Sequence, residues 1–184
     1  MKRYDCLQLL SSVAEEQVVT VTSLSANAGI WNTLRSRGAN FLGCNMGLCV
    51  PFALGLSLAR PQRRVIALDS DGSLMLDTSS LFAVADVHPP NLTILVFDNA
   101  HYRGMSETAT ARYADLEKMA QGAGIRKTGT IRTLEEFANV IKPALDGPGP
   151  CFYVLKVEPD RQGGRGELYP HGRAMKERFI DRLG

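Results

Sequence analysis

Val65-Ile-Ala-Leu-Asp-Ser-Asp-Gly-Ser73 and, further on, Leu92-Thr-Ile-Leu-Val-Phe-Asp-Asn99 decide how this chain folds. Each stretch begins as an unbroken apolar run, the mark of a strand covered on both faces. Each then turns polar at its carboxyl end. Residues 76–87 between them have helical character, so the whole reads as a β-α-β unit. Asp71 and Asn99, 28 positions apart, fall at the ends of the two strands, where open α/β sheets bind ligands. A carboxylate and an amide oxygen are hard ligands that suit Mg²⁺ or Ca²⁺. Gly72 lets the backbone approach a phosphate, and a helix that follows offers free N–H groups.

Outward from this unit the same alternation continues. Apolar residues recur at helical spacing over 5–16. A β-branched strand follows at 18–22. The small-residue loop Ser23-Leu-Ser-Ala-Asn-Ala-Gly29 opens a helix running to about 37. A brief strand at 40–43 meets the turn Cys44-Asn-Met-Gly47, and Pro51 sits in the first turn of a helix ending near 59. Residues 100–111 form a polar loop, a candidate ligand cover. Helices are predicted over 115–122 and 133–145, the second opened by the capping-box pattern Thr133-Leu-Glu-Glu136. A turn at 146–150 leads to a final buried strand at 151–157, and 171–182 reads as a C-terminal helix. Buried strands separated by helices predict a three-layer α/β/α fold with a mainly parallel sheet.

Composition fits this picture. With 184 residues and 45% hydrophobic content, residues 1–184 are expected to form one domain with its own core. The net charge of +2, and a lack of aromatics interleaved with the basic residues, argue against nucleic acid. Arg161, Arg165, Arg173, Lys176 and Arg178 make the C-terminal end locally basic, a solvated face or an anion contact. Cys6, Cys44, Cys49 and Cys151 form no C-x-x-C pair, so zinc and iron–sulfur spacing is missing. The N-terminus turns amphipathic at once, without a leader's apolar region. Reduced thiols in the cytoplasm are therefore expected. Residues 38–59 carry no charge and are long enough to span a bilayer. Their asparagines, Pro51 and glycines favour a strand, a turn and a buried helix over a membrane span.

With these residues in place, the chain resembles the diphosphate-binding module of thiamine-diphosphate enzymes. The family signature is Gly-Asp-Gly followed, after some 25–30 residues, by Asn-Asn or Asp-Asn; here Ser70-Asp71-Gly72-Ser73 and Asp98-Asn99 stand in those places. The segment from Cys44 to Gly55 looks like the family's Met-Gly turn and its following helix. The similarity runs over about residues 18–158. Within the family it is to the β subunit of sulfopyruvate decarboxylase and the C-terminal half of phosphonopyruvate decarboxylase. Two positions depart from the pattern: Ser70 replaces a glycine, and Ser106-Glu-Thr-Ala-Thr110 replaces a Ser-Thr-Gly-x-Gln run.

The resemblance implies thiamine diphosphate and Mg²⁺ as cofactors and a 2-oxo acid as substrate, which loses CO₂. By the same resemblance Asp71, Asn99 and the backbone carbonyl of His101 are the metal ligands. Ser73, Gly72 and Ser25 face the diphosphate, and Tyr102 lies in the cofactor-binding loop. Met46 is the wedge that holds the cofactor bent, with core packing as its alternative. The carbonyl of Cys44 accepts from the cofactor's amino group. Arg103 and the basic tail are candidates for a second anionic group on the substrate. In this family a glutamate from a separate pyrimidine-binding domain activates the cofactor. Only about 17 residues precede the first strand, so a partner α subunit is expected to supply that glutamate in a hetero-oligomer. A carboligase or acyl-transfer subunit, and a non-catalytic cofactor-binding scaffold, are the alternatives.

Overall fold

A computed structural model describes residues 1–24, 26–102, 105–159 and 169–184. In chain order the elements are α1 (Arg3–Val13), β1 (Val19–Ser23), α2 (Ala26–Leu34), β2 (Ala39–Cys44), α3 (Cys49–Ala59), β3 (Val65–Ser70), α4 (Asp71–Leu74), α5 (Ser80–Val87) and β4 (Leu92–Asp98). The short pair β5 (His101–Tyr102) and β6 (Ser106–Glu107) comes next, then α6 (Leu116–Ala123), β7 (Lys127–Ile131), α7 (Leu134–Asp146), β8 (Cys151–Lys156) and α8 (Gly172–Leu183).

The main sheet has the order β2-β1-β3-β4-β8-β7, and every adjacent pair is parallel. Helices on both faces cover it, giving the expected three layers. β4 is buried at every position and β3 at every position but Ser70, which is why both read as continuous apolar runs. Trp31, Phe97, Phe137 and Phe152 are the largest side chains fully enclosed in the core. At the β2 edge, α8 closes the sheet with Phe179, whose ring stands edge-on to Phe41 at 5.5 Å. The uncharged stretch resolves as β2, a turn and α3. Among the described residues no helix is long and apolar enough to cross a membrane.

Three features differ from the sequence reading. The helix expected over 76–87 starts later, and a single helical turn stands where a tight turn was expected. A single turn, α4, ends at Leu74, and α5 begins only at Ser80. Asp77 is the cause: its carboxylate takes the Ser79 hydroxyl and the Ser80 N–H, and its carbonyl takes the Ser80 hydroxyl at 2.8 Å. A side chain that bonds its own backbone competes with helix continuation and restarts it downstream. The predicted polar loop contains the antiparallel β5–β6 pair. An edge strand, β7, has no counterpart in the sequence reading. It pairs with β8 and is fixed from outside by α6, where Thr130 donates to Glu117 at 2.6 Å.

Candidate functional site

β3 and β4 lie side by side with Ser70 opposite Phe97, so the chain leaves the sheet at Asp71 and at Asn99 on adjoining strand ends. Both side chains are buried, at 1% and 7% exposure. Thr108 joins the two ends directly. Its hydroxyl donates to Asp71 Oδ2 at 2.7 Å, and its N–H donates to the Ala100 carbonyl at 2.9 Å. Ala100 has a φ of +61°, in the left-handed region that L residues rarely occupy. Its N–H donates to Asp98 Oδ1 at 3.0 Å, which helps to hold this bend. Asn99 Oδ1 accepts the His101 N–H at 3.0 Å, so the amide oxygen is oriented by the backbone that follows it.

Gly72 is required by packing as well as by any phosphate. A β-carbon there would lie 2.3 Å from Tyr102 Cε1, so the tyrosine ring rests on the bare glycine. Ser73 reaches the neighbouring turn: its hydroxyl oxygen accepts the Gly47 N–H at 3.2 Å. Gly47 itself has a φ of +83°, which suits glycine. The helix opened by Asp71 is a single turn. It offers fewer aligned N–H dipoles than a full-length helix would.

The β2–α3 turn carries the other candidates. The Cys44 carbonyl accepts the Leu24 N–H at 2.8 Å, which leaves its second lone pair for another donor. Burial pushes the Cys44 thiol up to about 11, and Asp69 adds to the shift, so the sulfur stays protonated and inert at neutral pH. Met46 is 42% exposed, which excludes the alternative of core packing. Ser25, Arg103, Arg161 and Arg165 lie outside the described residues.

The structure adds residues that the sequence did not single out. Asp69 is 1% exposed, and its Oδ2 makes no hydrogen bond. Burial raises its carboxyl to about 6, against the pull of the Ser73 hydroxyl, the Ser70 N–H and the Ser23 hydroxyl. Burial also raises Asp71; the Thr108 hydroxyl opposes this, the Asp98 charge adds to it, and Arg3 offsets it. Arg3 is buried and donates to Asn27 Oδ1 at 2.6 Å. Asp98 pairs with Lys156, its register partner on β8. A lysine closing an otherwise apolar last strand was the one sequence signal for that pair.

Residues 29–155 match the family model of the thiamine pyrophosphate enzyme C-terminal TPP binding domain. The chain belongs to this family. It is 36% identical over 138 residues to sulfopyruvate decarboxylase of Methanosarcina acetivorans, covering 73% of this chain and 35% of that one. It is 32% identical over 162 residues to the sulfopyruvate decarboxylase β subunit of Methanocaldococcus jannaschii, covering 86% of this chain and 85% of that one. Among solved structures, the thiamine diphosphate-dependent 4-hydroxybenzoylformate decarboxylase of Rhodococcus jostii RHA1 superposes with a TM-score of 0.70 at 22% identity, over 88% of this chain and 33% of that one. The last comparison speaks for the fold alone.

The donor set fits the family's cofactor and a hard cation. One buried carboxylate and one backbone-oriented amide oxygen stand on adjoining strand ends beside a glycine. Among the described residues no three His, Cys, Asp or Glu side chains converge on a cation position. An ion held here would complete its shell with carbonyl, water and phosphate oxygens, as Mg²⁺ prefers.

Proposed function

We propose that this chain is the cofactor-binding subunit of a split 2-oxo acid decarboxylase that depends on thiamine diphosphate and Mg²⁺, and that a partner subunit completes its active site. The observation that carries this reading is the likeness to a β subunit, 32% identical over 86% of this chain and 85% of that one. The chain spans only 35% of the Methanosarcina acetivorans sulfopyruvate decarboxylase it also matches. A sulfonate- or phosphonate-bearing 2-oxo acid is the substrate class this similarity favours.

When bound, the cofactor supplies the electron sink for loss of CO₂. This chain supplies position and charge. Asp71, Asn99 and the His101 carbonyl hold the metal. Gly72, Ser73 and Ser25 hold the diphosphate, and Tyr102 packs on Gly72 to fix the turn. The Cys44 carbonyl orients the cofactor's amino group, and Met46 supports the bend between its rings. The activating glutamate comes from the partner, a pyrimidine-binding α subunit, and the assembly works in the cytoplasm.

The rim of the site supports a covering partner. Leu76 lies next to Gly47, whose added β-carbon would meet Leu76 Cβ at 3.4 Å. Leu48 and Leu76 flank Met46 with 51% and 63% exposure. Three large exposed apolar side chains beside the strand ends are the kind of surface a second subunit covers.

The test is CO₂ release from sulfopyruvate and phosphonopyruvate by the chain alone and by the chain co-purified with its α subunit. The complex is expected to turn over one of them and the single chain neither. Robust turnover by the pure single chain contradicts the split site. A ligated product in place of an aldehyde turns the reading to carboligation.

A further inference from the structure

The run at 106–110 that departs from the family pattern is the part of the chain that grips Asp71. Thr108 donates to Asp71 Oδ2 at 2.7 Å, and Thr110 lies 3.4 Å from the same oxygen. Thr110 also donates to Asp98 Oδ1 at 2.8 Å, and Asp98 Oδ2 is paired with Lys156 Nζ. The two hydroxyl oxygens stand 2.8 Å apart. A continuous line of polar contacts therefore runs from a lysine on β8, through an aspartate on β4 and two threonines, to the carboxylate on the β3 turn.

Charge bookkeeping shows what this line does. Asp71 and Asp98 are 1% and 2% exposed, and two buried carboxylates at close quarters destabilise each other's charged forms. Lys156 neutralises one of them, Asp98. Arg3 offsets the burial of the other, Asp71. The hydroxyl protons follow the same division. Each threonine has one proton to give; with Thr108's on Asp71 and Thr110's on Asp98 neither acid is bare on that side. The contact between the two hydroxyl oxygens then carries no proton. Thr110 and Lys156 therefore reach Asp71 through the shared 108–110 backbone rather than through an unbroken hydrogen-bond chain. Thr108 also binds the Ala100 carbonyl through its N–H, so the segment that carries the hydroxyls is tied to the strand end that carries Asn99.

We propose that Thr108, Thr110, Asp98 and Lys156 form a positioning relay that fixes the Asp71 carboxylate as a metal ligand and fastens the 105–111 segment over it. The inference rests on reading Asp71 as a ligand. None of the four touches the reacting atoms; they act through Asp71. Groups that orient a metal's direct ligands are worth about 10–100-fold in metal affinity.

The test is a Mn²⁺ titration of the full-length chain at saturating thiamine diphosphate, followed by electron paramagnetic resonance, with thermal melting of the metal-free chain alongside. Thr108→Val and Thr110→Val are expected to weaken Mn²⁺ binding by about 10–100-fold. Thr108→Ser and Thr110→Ser keep the hydroxyls and should stay within about threefold of wild type. Lys156→Gln, whose melting curve must show that it still folds with the Asp98 charge unpaired, should weaken binding in the same direction. Valine variants, or Lys156→Gln, that bind Mn²⁺ as wild type does overturn the relay. Serine variants as impaired as the valines overturn it too, since the effect would then be one of packing. Asp71→Ala separates the two levels. If it abolishes Mn²⁺ binding while the threonine variants do not, the relay falls and the metal site stands; if it leaves binding intact, both fall.

Discussion

Around the ends of β3 and β4, Asp69, Asp71, Ser73, Asp98 and Asn99 are all buried; around the neighbouring β2–α3 turn, Met46 and Leu48 face solvent, as does Leu76 beside it. The two regions touch where Ser73 accepts the Gly47 N–H, and each reverses the ordinary rule of polar outside and apolar inside. Their chemistry says why. A pocket of acid and amide oxygens on strand ends is suited to a cation and the phosphates it bridges. A rim of leucine and methionine is suited to another protein surface. In the proposed function the first region seats the cofactor and the second meets the subunit that closes over it.

Three substitutions test this division. The largest effect is expected from Asp71→Ala, which removes the only carboxylate assigned to the metal. Calorimetry should show Mg²⁺-dependent thiamine diphosphate affinity falling by roughly a hundredfold or more, and unchanged affinity would detach the polar pocket from the cofactor.

Asp69→Asn sharpens the comparison from inside the pocket. The Asp69 carboxyl is raised from its ordinary 3.8 to about 6. In that window the folded chain binds a proton that the unfolded chain has lost, so this group's contribution to stability falls as pH rises through it. The burial cost at pH 7 is at most about 3 kcal/mol. In the metal-free chain, Asp69→Asn should melt higher than wild type at pH 7, and the gap should close towards pH 5. Parallel melting curves across that range would show that Asp69 does not titrate as its burial implies.

Leu76→Glu probes the rim and should have the smallest effect on the chain alone. A side chain with 63% exposure is expected to cost within about 0.5 kcal/mol of stability when replaced. Association with the α subunit, measured by analytical ultracentrifugation, should weaken about tenfold or more if the leucine lies at the centre of the covered surface. Unaltered association moves the partner's seat elsewhere.

The fold was legible where burial wrote it into composition. β3 and β4 are enclosed on both faces and β8 is buried at four of its six positions, and all three show as apolar runs with a polar residue at the carboxyl end. β7 was not legible, because an edge strand of sequence Lys-Thr-Gly-Thr-Ile buries only its isoleucine. Its place depends on Tyr153, whose ring packs over Gly129, where an added β-carbon would lie 3.1 Å away. The break between α4 and α5 turns on Asp77 bonding to its own neighbours, a local competition that apolar periodicity does not record.

The site divides in the same way. Asp71, Gly72, Ser73 and Asn99 follow from strand ends and spacing. Asp69 escaped notice because its environment is assembled from three separate strands and turns, at Ser23, Cys44 and Ser73. Thr108 and Thr110 were visible only as polar loop residues. Their grip on Asp71 exists because the β5–β6 pair folds the chain back over the strand ends.

Crystals of the chain with its α subunit, grown with Mn²⁺ and thiamine diphosphate, test the central claim most directly through the manganese anomalous signal. The account predicts one strong peak in contact with a carboxylate oxygen of Asp71 and the amide oxygen of Asn99, with the diphosphate on its far side. A peak elsewhere, with the cofactor bound and those two side chains turned away from it, would contradict it.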